Sequence, residues 1–236
     1  MNFSYQNYYD HWESQKKQSI YLNEFDMFIG NLKDVKPPEK YVDIWTDINL
    51  PIQELKANNH GMLGKRRQNC LQTLSKRAYY LTRMAEFIGA KNIVEVGTAQ
   101  GWQFYTFAEH LKGTGGHVWS CDIKDVRNQK YINRYDNATF CLGDSSKLKL
   151  ALGEEKIDMF YIDGAHDKGS VLTDVLNLRD NQSEAPIWVF DDFDLRFGCY
   201  QDIAYLCSKN ANHKVYDIGE VASGNPSHQV LLVGKL

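Results

Sequence analysis

From about residue 90 onward the chain alternates short apolar runs with stretches of helical period. The apolar runs place strands at 92–97, 117–122, 138–142, 157–163, 186–191, 213–218 and 228–234. Between them the periodicity predicts helices near 101–112, 125–134, 145–152, 168–180 and 198–209. Strands separated by helices at this spacing form a mostly parallel sheet covered on both faces, a Rossmann-like, doubly wound α/β fold of seven strands. The link 219–227, with Gly224 and Pro226, is too short and polar for a helix, so the last two strands pair antiparallel at one edge.

The first 88 residues read as a helical extension of that domain, which runs from 89 to 236. Tyr5, Tyr8, Tyr9, Trp12, Tyr21, Phe25 and Phe28 give the front one or two short helices with an aromatic face suited to a homo-oligomer contact. Lys36-Pro-Pro-Glu39 breaks the pattern, Tyr41–Leu55 reads as short and irregular, and 58–64 as a loop. A helix is expected from Lys65 to Ile88, with Leu71, Leu74, Ala78, Leu81, Ala85 and Ile88 on one side and Gly89 ending it.

Composition narrows the partners. Of 236 residues 43% are hydrophobic and 24% charged, with a net charge of −3 and no basic stripe, which argues against nucleic acid. The apolar runs are too short to span a bilayer, and the N-terminus lacks a signal-peptide pattern. Five cysteines without metal-site spacing suit reduced thiols in a cytoplasmic protein.

The chemistry gathers where the strands end. In an open parallel sheet, ligands bind outside the carboxyl ends of the strands. The first strand carries Glu95 and runs into Gly97-Thr98-Ala-Gln-Gly101, a turn whose glycines let backbone N–H groups approach a ligand. The second ends in Asp122 and the third in Asp144-Ser145. Asp122 is placed for two ribose hydroxyls and Asp144-Ser145 for an adenine amino group; as a helix cap, Asp144 also has a purely structural use. Acids with bare backbone fit S-adenosylmethionine better than a nicotinamide dinucleotide, which calls for a third glycine.

The fourth strand ends in Asp163-Gly-Ala-His166-Asp167 and the fifth in Asp191-Asp192. Neighbouring parallel strands put these acids side by side. Three carboxylates converging without basic partners repel one another, and oxygen ligands suit a hard divalent cation such as Mg²⁺. A single inward acid, with the other capping a helix, is the bland reading. His166 sits where a general base could stand, or is a loop histidine. Trp102, just beyond the glycine turn, is placed to touch the ligand.

On these motifs residues 90–234 resemble the class I S-adenosylmethionine-dependent methyltransferases. Glu95-Val-Gly-Thr-Ala-Gln-Gly101 matches the first motif of that superfamily, and Asp122 and Gly143-Asp144-Ser145 match the second and third. Asp-Gly-Ala-His after the fourth strand is similar to the metal-dependent macrocin/mycinamicin-type sugar O-methyltransferases and to cephalosporin-hydroxylase-like proteins. The resemblance implies cofactor contacts from Glu95, Gly97, Thr98, Gly101, Trp102, Asp122, Asp144, Ser145 and Asp163. It implies Mg²⁺ on Asp163, Asp191 and Asp192, with His166 and Asp163 in the catalytic role. Those relatives carry Glu-Asp where this chain has Asp191-Asp192, so the first side chain is one methylene shorter. The activity implied is O-methylation of a small hydroxylated molecule, sugar-bearing or aromatic. An oxidoreductase of the cephalosporin-hydroxylase type and a non-catalytic binding module are the alternatives; the former lacks the two-histidine, one-carboxylate set of non-haem iron.

Overall fold

The computed structural model describes residues 37–57, 77–210, 212–220 and 226–236. The aromatic front, the loop 58–64 and the start of the long helix at Lys65 lie outside the described residues. Helix α1 spans Glu39–Ala57, and residues 77–87 form helical α2. Then follow β1 (Asn92–Val96), α3 (Trp102–Leu111), β2 (His117–Asp122) and β3 (Ala138–Leu142). The chain continues through α4 (Ser145–Leu152), β4 (Ile157–Ile162), α5 (Ser170–Leu178) and β5 (Gln182–Phe190). It closes with α6 (Cys199–Lys209), β6 (His213–Glu220) and β7 (Pro226–Val233).

The strands make one seven-stranded sheet in the order β3-β2-β1-β4-β5-β7-β6. Strands β1 to β5 are parallel, and β7 runs antiparallel to both β5 and β6. The order reverses between β1 and β4, so a crevice opens above their carboxyl ends.

Alternation along the strands sorts side chains to two cores. Ile93, Met159, Tyr161, Ile187, Val189 and Leu231 face α1, α2 and α3. Val94, Val96, Phe160, Ile162, Trp188 and Phe190 face α4, α5 and α6, with the Phe160 and Trp188 rings stacked at 3.8 Å. All twelve strand residues are buried. At roughly 1.5–3 kcal/mol for each large apolar side chain, this two-sided burial is the main force holding the sheet between its helices.

Three elements depart from the sequence pattern. Tyr41–Leu55, expected to be irregular, lies within the 19-residue α1. Pro37 and Pro38 precede it and Glu39 stands in its first turn, both favourable at a helix N-terminus. Tyr41, Ile44, Trp45 and Ile48 share one helical face, and all four are buried.

The helix expected over 125–134 is only a single 3₁₀ turn at Gln129–Tyr131. Asn128 accepts a bond from its neighbour's amide, Lys130 N, and Arg127 pairs with Asp125 two residues away. Such local bonds compete with the helical ladder. Tyr131 is also drawn into a ring cluster with Tyr105 and Tyr135.

Strand β5 starts at Gln182 rather than 186, because an irregularity in its pairing with β4 accommodates Pro186. The expected ends of the remaining elements shift by a residue or two, as at α5, which begins beyond a left-handed Gly169.

Candidate active site

A cavity of about 780 Å³ lies over the carboxyl ends of β1, β2, β3 and β4. Of the nine expected cofactor residues, Gly97, Asp122, Asp144, Ser145 and Asp163 line it. The acids here are held by nearby backbone. Asp122 accepts Ala99 N at 2.8 Å and Lys124 N at 3.1 Å. Asp144 caps α4, accepting Ser146 Oγ at 2.5 Å and Ser146 N at 3.0 Å, and this bonding holds its carboxyl below the usual range. The cap and the rim position are therefore one and the same residue.

Glu95, Thr98, Gly101 and Trp102 do not line the cavity. Glu95 shares the parity of Ile93 and so turns toward α1–α3, where it is buried and accepts Ser120 Oγ at 2.6 Å. Burial pushes its carboxyl up to about 8, against the Ser120 bond and the Arg77 charge. Thr98 Oγ1 pairs with Ser120 Oγ at 2.5 Å. Trp102 packs against the α1–α3 core instead of facing the cavity.

The two turn glycines answer to packing. A Cβ on Gly97 would sit 1.9 Å from the Asp163 carbonyl oxygen, and one on Gly101 2.3 Å from the Tyr105 ring. Gly97 N and Thr98 N both donate to Cys121 O, so these two amides serve the β1–β2 junction.

Two rim residues went unread in the sequence. Ile123, after Asp122, lines the cavity with 74% of its surface exposed, an apolar lip in a polar loop. Asp174 on α5 accepts Ser145 Oγ at 2.6 Å, and burial raises its carboxyl to about 6.

The second half of the site is the β4–β5 edge. Backbone bonds from Asp163 N to Val96 O and from Asp191 N to Ile162 O carry the sheet register one residue past the strand ends. Asp163 and Asp191 keep the parity of Tyr161 and Val189 and meet on the α2 side. There Arg77 forms ion pairs with both, to Asp191 Oδ2 and to Asp163 Oδ2 at 3.3 Å. Tyr161 Oη donates to Asp163 Oδ2 at 2.8 Å and to Asp191 Oδ2 at 3.3 Å.

Asp192 goes the other way. Its backbone is left-handed at φ 55°, unusual for a residue other than glycine and a form of strain found at functional positions. Its Oδ2 lies 2.6 Å from His166 Nε2, and this bond raises the imidazole pKa despite partial burial.

These contacts change the expected ion set. The acids do have a basic partner, Arg77, which no motif announced. Asp191 is buried against it, while Asp163, His166 and Asp192 each bring one donor atom within 4.8 Å of the other two. Burial, then the charge of Asp191, raises the Asp163 pKa, and Arg77 opposes them. Three carboxyl groups thus meet a single guanidinium at this edge. Asp163 also lines the cavity, so the two halves of the site share this residue.

Residues 94–193 match the family model of a methyltransferase domain. No curated protein sequence matches the chain. Among solved structures, the fold is similar to an O-methyltransferase from Bacillus cereus in complex with SAH, at 14% identity and a TM-score of 0.62, covering 89% of this chain and 96% of that one. It is similar to the O-methyltransferase TomG from Streptomyces achromogenes, involved in tomaymycin synthesis and solved with SAM, at 15% identity, TM-score 0.60 and the same coverages. An rRNA methylase from Streptococcus thermophilus also matches, at 14% identity and TM-score 0.50, over 62% of this chain and 87% of that one. One fold thus serves acceptors of different kinds, and acceptor identity has to be argued from the site. The domain match over residues 94–193, the reversal of strand order between β1 and β4 and the acid-lined cavity at that point agree with one another: this chain has the fold that these methyltransferases share.

Proposed function

We propose that the protein transfers a methyl group from S-adenosylmethionine to a hydroxyl of a small molecule, sugar-bearing or aromatic. One observation carries the reading: Asp163 is at once a wall of the cavity and a corner of the acid–histidine cluster. A donor in the cavity would thus lie beside a group able to take a proton. In this reading Asp122 takes the ribose hydroxyls, Asp144 and Ser145 meet the edge of the adenine, and Ile123 covers its face.

In the neutral form, with Nε2–H donated to Asp192, His166 keeps Nδ1 free of its proton. That nitrogen takes the hydroxyl proton, and Asp192 stabilises the imidazolium that results. The acceptor oxygen bonds to the methyl carbon in line with the departing sulfur. The C–S bond breaks with its electron pair on sulfur, giving S-adenosylhomocysteine. The chief contribution of the chain to this step is alignment.

The residues fit a divalent cation, since two carboxyl groups and an imidazole converge within 4.8 Å of one another. Asp163 and Asp192 would hold it, as one or two carboxylates commonly do for Mg²⁺. A bound ion would supply Lewis acidity that lowers the hydroxyl pKa. The Arg77 ion pairs favour a second reading, in which protein cations suffice and the His166–Asp192 pair acts alone.

Calorimetry with S-adenosylmethionine, followed by methyl transfer to a panel of sugars, catechols and glycosides with Mg²⁺ or chelator, tests both. Full activity in chelator selects the second reading. Absence of donor binding, or transfer only to nitrogen or nucleic acid, overturns the proposal.

A further inference from the structure

Asp191 and Asp192 are adjacent in sequence and have opposite partners. Asp191 Oδ2 receives Arg77 and Tyr161, and its side chain is 1% exposed. Asp192 Oδ2 receives His166, and its side chain is 20% exposed. Asp163 stands between them, touching Arg77 and Tyr161 and also sharing the cluster with His166. A guanidinium keeps its charge at any working pH and meets carboxylates with a fixed fork of donors. A divalent ion reaching Asp191 Oδ2 would have to displace Arg77 and leave the guanidinium only its longer pair with Asp163, and Asp191 Oδ1 is itself buried away from the cluster surface, which makes this acid unfavourable for an ion.

We propose that Arg77 is a built-in counter-ion that reserves Asp191 for positioning, so that of the three acids only Asp163 and Asp192 are open to a divalent cation. Arg77 acts through the two aspartates. It ties the ends of β4 and β5 to α2 and sets how many negative charges face the acceptor. The ion-binding part of this inference rests on the O-methyltransferase reading above; the clamp itself does not.

Mn²⁺ titration, followed by calorimetry and by the electron paramagnetic resonance of the bound ion, tests the assignment in the full chain. Asp192→Asn should weaken Mn²⁺ binding about tenfold or more, whereas Asp191→Asn should leave it within about threefold. Arg77→Met, which unmasks an acid, should tighten it about tenfold. Equal loss in Asp191→Asn and Asp192→Asn, or unaltered affinity in Arg77→Met, overturns the proposal.

Thermal melting supplies an arm that needs no ion. Arg77→Met should lower the melting temperature by about 10 °C, and Arg77→Met/Asp191→Asn should recover most of that loss. Additive losses overturn the clamp. Should the parent take up no Mn²⁺, the cation reading fails alone and the melting cycle decides Arg77.

Discussion

The rim over β1–β3 and the edge at β4–β5 both present carboxylates, yet they stabilise them by different means. At the rim, Asp122 and Asp144 accept amides from loops they belong to or adjoin. That solution is built into the strand–turn–helix unit and exists before any ligand arrives. At the edge, Asp163, Asp191 and Asp192 depend on side chains from other elements: Arg77 from α2 and His166 from the loop after β4. Distant partners leave the edge with charge still to be balanced, and that residue of charge is what chemistry can use.

The sharpest way to break this contrast is His166→Ala. It should lower kcat by about 10²–10⁴-fold while leaving donor affinity within about twofold. Single-turnover rates and calorimetry on one sample would check both halves, and a collapse of donor binding would merge the regions.

Glu95 comes next. Buried, with its carboxyl pushed up to about 8, it stays protonated in the folded chain at pH values where the unfolded chain is ionised. The folded state then binds the extra proton between the ordinary glutamate value and about 8. The contribution of Glu95 to stability is therefore largest below that window and declines as pH rises through it. Melting curves from pH 5 to 8 should show wild type losing roughly 10 °C relative to Glu95→Gln; parallel curves would mean the acid is already ionised.

Smaller is Asp122→Ala, expected to weaken S-adenosylmethionine about ten- to hundredfold with kcat at saturation retained. The smallest is Ile123→Ala, about fivefold in the same titration, from apolar surface left uncovered by the ligand. A larger effect at Ile123 than at Asp122 would reverse the view of the rim as a polar cradle with an apolar lip.

The same contrast explains what could be read from the chain. The sheet was legible because its strands are apolar runs closed by glycine or acid, as in Ile93–Gly97 and Ala138–Gly143. The rim positions of Asp122 and Asp144 could be read because the one ends its strand and the other stands two residues past it. Arg77 was not: it lies 86 residues before Asp163 and 114 before Asp191, and no local pattern marks it. Where the side chains of Trp102 and Thr98 turn was not legible, because closeness to the turn in sequence says nothing about which neighbours a side chain joins. Helix α1 carried its apolar period at Tyr41, Ile44, Trp45 and Ile48 in plain view, but Pro51 within the span obscured it.

Gly97 has one further consequence. Its absent methyl is where the first turn of the sheet rests on the carbonyl of Asp163. Even alanine there would drive a wedge between the two central ribbons, moving the acid-lined rim away from the Asp163–His166–Asp192 cluster. Substitutions can thus accumulate along the outer ribbons, while this seam must stay shut.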